Sequence, residues 1–195
     1  QPQSRDVAAE LLWADQDEEH ARSSLRTTLR ALTTPISVEW IQADRSLLAL
    51  KPEAVRVDVI EFTDLLAQSR THDHETNAVC DQCAELFKQA AALYRGDFLA
   101  GFHIDGSAEY DAWQLAQQEW LRREYGGVLR QLSIYYADIQ QIDQAIRYAQ
   151  QWLAVDVLHE PAHRQLIRLY ASAGQRSEAV RQYKSCVELL RTELA

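Results

Sequence analysis

An internal repeat of 34 residues constrains the fold of this chain more than any other feature of its sequence. Five positions recur at that spacing: Leu132, Tyr136, Ala145, Leu153 and Val155 return as Leu166, Tyr170, Ala179, Val187 and Leu189. The small residue of each repeat, Ala145 or Ala179, marks the point where two helices cross closely. A larger side chain there would push the helices apart, because protein interiors are close-packed. The repeat therefore predicts stacked pairs of helices whose larger residues fill the grooves between them.

The period and its small and aromatic positions resemble tetratricopeptide repeats. Val157 stands where that family usually has a proline, and Pro161 comes four residues later, which predicts a longer turn before the next helix. Two repeats do not make a stable solenoid alone, so helices at 79–95 and 107–126 are expected to pack on them as a third, degenerate pair. Gln182 is expected to lie at the surface. The alternative is an ordinary helical bundle that repeats by chance.

Composition also favours long helices. The chain has only six Gly and four Pro, which argues against a loop-rich β protein. From Ser107 onward we predict helix almost to the end, with breaks near Gln140, at 160–161 and at Gly174. No run approaches the roughly 18 apolar residues of a membrane span. The chain contains no Met, so we expect it to begin inside a longer protein; with no leader sequence in view, a cytoplasmic location is expected.

The first 56 residues follow a different pattern. A short helix is predicted from Ser4 to Trp13, and a second helix is predicted to end near Leu32. Alternating apolar residues at 36–41 and an apolar run at 47–50 predict two strands joined by a tight turn. This segment is therefore expected to add a small β-hairpin to a mainly α protein.

Three motifs in the rest of the chain carry a family resemblance. They are Asp58-Val59-Ile60-Glu61-Phe62, Ala92-Leu93-Tyr94-Arg95-Gly96-Asp97-Phe98-Leu99 and Glu160-Pro161-Ala162-His163-Arg164-Gln165-Leu166. They are similar to the bacterial transcriptional activator domain of SARP-type and larger ATPase regulators, which follows an OmpR-type winged helix. The resemblance implies a tetratricopeptide-like activator domain at 57–195. It also implies that residues 1–56 are the back half of a winged helix-turn-helix domain.

The resemblance extends to the parts of the winged helix. Residues 9–13 are similar to the helix before the recognition helix, residues 22–26 to the recognition helix itself, and residues 43–45 to the tip of the wing. It implies a transcriptional regulator fragment whose parent protein binds promoter DNA sequence-specifically. The helical repeats would contact a dimer mate, RNA polymerase or a downstream sensor domain in signal transduction. The alternative is a protein-interaction scaffold without DNA binding, in which residues 1–56 brace the repeats.

Charge singles out one candidate DNA-binding face. The net charge of −9 argues against a protein that coats nucleic acid generally, yet residues 20–34 hold three arginines and no acidic residue. Guanidinium groups bind guanine edges and phosphates, and short hydroxyls bind phosphates. The predicted DNA contacts are Arg22, Ser23, Arg26, Thr27, Arg30 and Arg45. The alternative is a solvated helix face whose arginines pair with Glu18 and Glu19 at helical spacing.

A second candidate site groups metal-binding residue types. His72, His74, Cys80 and Cys83 fall within twelve residues, and their His-x-His and Cys-x-x-Cys spacings suit a tetrahedral zinc site. The alternatives are a chance grouping, a disulfide, which a cytosolic protein disfavours, and a redox switch. Cys186 is expected to be a small apolar filler in the repeat core.

The sequence holds no motif of an enzyme. It lacks a Gly-rich phosphate loop, a nucleophile elbow and a His-Glu-x-x-His pattern. We therefore expect a regulator rather than an enzyme, with structural zinc as its one candidate cofactor.

Overall fold

The computed structural model describes residues 2–32, 40–51, 53–72 and 79–194. Eight helices hold most of these residues: α1 (Arg5–Leu12), α2 (Glu18–Leu32), α3 (Asp58–Thr71), α4 (Asp81–Leu93), α5 (Ala108–Asp138), α6 (Ile142–Val155), α7 (Glu160–Ser172) and α8 (Arg176–Leu194). Three short strands, β1 (Gln3–Ser4), β2 (Ile41–Ala43) and β3 (Leu47–Leu50), form an antiparallel sheet in the order β1-β3-β2. The prediction of a mainly α fold with a small β-hairpin is confirmed.

The breaks predicted between the C-terminal helices are observed. α5 ends at Asp138, and α7 ends shortly before Gly174. Gly174 has a φ of +73°, a left-handed conformation that glycine adopts without a steric penalty. Pro161 lies in the first turn of α7, where a missing backbone N–H is tolerated.

The chain divides into two compact units. One comprises Gln1–Val57 with Gly96–Trp120, and the other comprises Asp58–Arg95 with Leu121–Ala195. Of the pairing expected between helices at 79–95 and 107–126, the structure shows one contact: the ring of Tyr94, directly after α4, stacks on Tyr125 of α5 with 4.1 Å between ring centroids. α4 also packs on α3. α4 buries two small residues, Ala84 and Ala90.

The first unit has a core between α1 and α2. Ala9, Ala21 and Leu25 are buried there, and Leu48 of β3 packs against them. The Oγ atom of Ser4 accepts a hydrogen bond from the Asp6 amide at 3.3 Å and so caps α1, at the start of the helix predicted from Ser4.

The sheet of this unit differs in part from the sequence prediction. Of the strand predicted at 36–41, residues 36–39 lie outside the described residues, and β2 begins at Ile41. No strand was predicted at β1, whose residue Ser4 pairs with Leu47 of β3. This pairing sets the beginning of α1 beside the turn between β2 and β3.

The second unit contains the repeat. Its two alanines are buried as predicted, with Ala145 0% and Ala179 8% exposed. Ala145 shares a core cluster with Leu166, and Trp152 packs with Ala162 in a neighbouring cluster. α6 packs on α7 and α7 on α8, as stacked helical pairs require.

One expectation for the repeat is wrong. Gln182 is only partly exposed on α8, because its side chain hydrogen-bonds to the buried His163 of α7. Periodicity marked the position as polar, and only the packing of α8 on α7 supplied a buried partner for it.

Candidate functional site

The arginines predicted to contact DNA lie on the exposed face of α2. The helix buries Ala21 and Leu25 against α1, so the positions between them face solvent. The exposed residues include all five predicted positions on the helix: Arg22, Ser23, Arg26, Thr27 and Arg30. Thr27 donates its hydroxyl to the carbonyl of Ser23 at 3.1 Å, which leaves the hydroxyl oxygen able to accept.

A groove of about 680 Å³ runs between α2 and the turn that joins β2 to β3. Its charged lining residues are Arg5, Asp6, Arg22, Arg26, Asp44 and Arg45. The groove therefore brings together arginines from α1, α2 and the hairpin turn, with two aspartates among them. Three of the predicted DNA contacts (Arg22, Arg26 and Arg45) meet in it.

Arg5 is the lining residue that sequence reasoning missed. Its amide donates to the carbonyl of Ser46 at 2.9 Å, and its Nη1 donates to the carbonyl of Asp44 at 3.1 Å. Only the pairing of β1 with β3 brings Arg5 to this turn, and residues 3–5 carry no periodic signal that reveals it.

Arg22 has carboxylate partners. Its Nε donates to Oδ1 of Asp6 at 2.8 Å, and its Nη2 lies 2.8 Å from Oε1 of Glu18. The hydrogen bond from Arg22 lowers the pKa of Asp6 below its usual value. For Arg22 the helical pairing with Glu18 is therefore observed, whereas Arg26 and Arg45 make no ion pair within the described residues.

The turn that presents Arg45 is organised by Asp44. Its Oδ1 accepts from the amides of Ser46 and Leu47, each at 2.7 Å. These hydrogen bonds to the ionised form lower the pKa of Asp44. Arg45 is thereby held exposed at the tip of the hairpin.

The histidine and cysteines of the second candidate site converge in the other unit. His72 directly follows α3, Cys80 is the N-cap residue of α4, and Cys83 lies in its first turn. The Sγ atoms of Cys80 and Cys83 each lie 3.6 Å from Nδ1 of His72. All three potential ligand atoms fall within 4.8 Å of one another. His74, the fourth residue predicted from the sequence, lies outside the described residues.

The cysteines of this unit are free thiols. Cys83 is 1% exposed, and burial together with the neighbouring Cys80 raises its pKa to about 11. Cys186 is buried in the repeat unit as predicted, and desolvation raises its pKa also.

Comparison with known protein families gave a match that includes the whole second unit. Residues 57–195, more than two thirds of the chain, match the model of a family described as the bacterial transcriptional activator domain. A comparison with curated proteins gave no match. Within the described ranges, none of the helices combines the length and apolar character needed to cross a membrane. On the strength of the family match and the helical repeat, the chain belongs to the bacterial transcriptional activator domain family.

Proposed function

We propose that this chain is part of a bacterial transcription factor that binds promoter DNA through residues 1–56 and contacts other proteins through residues 57–195. The observation that carries the DNA part is the groove where α2 meets the hairpin turn. Arg26 and Arg45 line it from two separate elements, and neither is neutralised by a carboxylate of the described residues. The family supports a role in transcription.

The arrangement assigns different tasks to the arginines. A helix that enters the major groove presents guanidinium groups to base edges, and Arg26 is the central exposed arginine of α2. Ser23 and Thr27 flank it and are suited to hold phosphate oxygens. Arg45, at the hairpin tip, is suited to the adjacent minor groove or backbone. Arg22 must exchange Asp6 and Glu18 for phosphate, which reduces its net gain on binding.

Exposed apolar residues on α8 support the protein-contact part of the proposal. Val180, Tyr183 and Val187 are 54%, 59% and 37% exposed and follow one another at steps of three and four residues. An apolar stripe on a helix surface is typical of a protein contact. In this proposal the repeats bind RNA polymerase, another domain of the longer regulator or a second copy of the chain in the bacterial cytoplasm. The role is regulatory and not catalytic.

Titration of promoter DNA with the parent protein and with this chain, at two salt concentrations, tests the DNA part. Phosphate contacts make affinity fall as salt rises, so we expect binding that weakens steeply with salt and is reduced by Arg26→Ala. Arg168→Ala removes one exposed arginine from α7 in the other unit and serves as the control. Equal losses in the two variants would contradict the proposed interface.

The second candidate function is a tetratricopeptide-type interaction scaffold without DNA binding. The stripe on α8 favours it, because that surface needs no nucleic acid. In that case the folded parent protein shows no sequence-specific DNA binding at either salt concentration. Tyr183→Glu would still abolish binding of the chain to its protein partner. If that partner is a second copy of the chain, sedimentation analysis detects the loss of the dimer directly.

A further inference from the structure

We propose that His72, Cys80 and Cys83 bind a zinc ion that ties the end of α3 to the start of α4. The proposal is independent of DNA binding, because all three residues belong to the helical-repeat unit. The ligand atoms are Nδ1 of the histidine and Sγ of the two cysteines.

The two nitrogen–sulfur distances are those expected in a zinc site. Zinc binds thiolate sulfur at about 2.3 Å and imidazole nitrogen at about 2.0–2.1 Å in tetrahedral geometry, which sets each nitrogen and sulfur roughly 3.5–3.6 Å apart. In the structure Nδ1 of His72 lies 3.6 Å from the Sγ atoms of both cysteines. One ion therefore contacts all three atoms with little movement of the side chains. The fourth tetrahedral position is open to water or to a further side chain.

The first turn of α4 supports the sulfur of Cys80. Its Sγ accepts a hydrogen bond from the Cys83 amide at 3.4 Å, as the N-cap of α4. An N–H hydrogen bond to a sulfur that coordinates a metal supports this ligand from outside the metal shell. The neighbouring carboxylate of Asp81 has a different partner, because it accepts a hydrogen bond from the Tyr135 hydroxyl at 2.9 Å.

Hydrogen bonds also join these residues to each other and to the end of α3. The Cys83 thiol lies 3.7 Å from the carbonyl of Ser69, and His72 Nδ1 is within reach of both thiols. When Zn²⁺ binds, the two thiols release two protons to solvent, and two thiolates and one neutral imidazole remain as ligands. Soft sulfur ligands select zinc over magnesium or calcium, whose ligands are oxygens.

The ion would have a structural role. His72 directly follows α3 and Cys80 is the N-cap residue of α4, so one ion joins the ends of two helices. Because α3 and α4 pack on each other, the same ion also secures their relative position. Loss of the ion would therefore loosen this helical pair while the repeat core of α6 to α8 remains folded.

The test measures zinc in the full chain, purified under reducing conditions without added metal. We expect about one zinc per chain by elemental analysis, or uptake of one equivalent when Zn²⁺ is added. Co²⁺ should give the sulfur-to-metal charge-transfer absorption of a thiolate site. His72→Gln and Cys80→Ser should each weaken zinc binding at least about tenfold. Cys186→Ser removes a thiol outside the cluster and should leave zinc binding unchanged.

The variants also separate metal loss from misfolding. His72 is partly exposed, so His72→Gln is expected to keep the far-ultraviolet circular dichroism of the wild type. A chelator should lower the Tm of the wild type and leave that of His72→Gln unchanged. The proposal is overturned if the reduced wild type takes up no zinc. It is equally overturned if His72→Gln and Cys80→Ser bind zinc as tightly as the wild type.

Discussion

The side-chain nitrogen of Gln182 lies 2.6 Å from Nδ1 of His163, and this hydrogen bond joins α8 to α7. On its other side, Nε2 of His163 lies 2.8 Å from the carbonyl of Val157. Because a carbonyl only accepts, Nε2 carries the proton and Nδ1 accepts from Gln182. His163 is 2% exposed, so one buried imidazole links the last two helices and the turn before α7.

Replacing His163 should destabilise the repeat unit. His163→Ala leaves Val157 and Gln182 without their partner and opens a cavity, so we expect a loss of roughly 2–3 kcal/mol in the free energy of unfolding. Gln182→Leu removes one of the two hydrogen bonds, with an expected loss of about 1–2 kcal/mol. Urea denaturation measures both values. Gln151→Leu, at an exposed position of α6, is the control, and a loss as large as that of Gln182→Leu would contradict the buried bond.

The helix crossing at Ala179 should reject a larger side chain. Ala179 is 8% exposed, so Ala179→Leu inserts three carbon atoms into a packed contact and should cost roughly 1–3 kcal/mol. Ala171→Leu makes the same change at an exposed position of α7 and should stay within about 0.5 kcal/mol of the wild type. Thermal unfolding compares the two, and equal Tm values would remove the case for a repeat crossing at Ala179.

Arg26 should contribute more to DNA binding than Arg22 does. Arg26→Ala in the parent protein should lose roughly 1–3 kcal/mol of specific binding, measured by fluorescence anisotropy. Arg22→Ala should lose less, because this guanidinium already has two carboxylate partners in the free protein. A larger loss for Arg22→Ala than for Arg26→Ala would reverse the assignment of the base-reading residue.

Removing the charge of Asp6 should strengthen DNA binding. Asp6→Asn frees Arg22 of one ion-pair partner and removes a negative charge from the groove, so affinity should rise severalfold at low salt and less at high salt. Asp64→Asn makes the same change of net charge at an exposed position of the other unit. If both variants raise affinity equally, the effect comes from net charge and not from the groove.

The hairpin turn should depend on pH only under acidic conditions. Hydrogen bonds from Ser46 and Leu47 lower the folded-state pKa of Asp44, so its contribution is present above the unfolded-state pKa of about 3.9. That contribution is lost as pH falls through the lower folded-state pKa. We expect the amide resonances of Ser46 and Leu47 to stay constant from pH 7 to pH 5 and to shift only below about pH 4. A shift centred near pH 6 would rule out Asp44 as the titrating group.

Much of the candidate DNA interface followed from local sequence. The four-residue steps of Arg22, Arg26 and Arg30 place them on one helix face once Ala21 and Leu25 are buried. The sequence could indicate only one of the two ion-pair partners of Arg22. Glu18 is within helical reach of Arg22, whereas Asp6 is sixteen residues away. The contact with Asp6 required α1 to pack against α2, which no helical spacing specifies.

The sequence by itself determined the helices, the repeat and the grouping of His72, Cys80 and Cys83, because periodicity, capping and short spacings act between near neighbours in the chain. Tertiary structure alone decided that Arg5 joins the hairpin turn, that residues 96–120 pack with the N-terminal unit and that Gln182 meets His163. These contacts join residues distant in the chain. They form where burial of apolar surface across the whole unit outweighs the entropy cost of closing the intervening loops. Local sequence patterns do not reveal this balance of free energies.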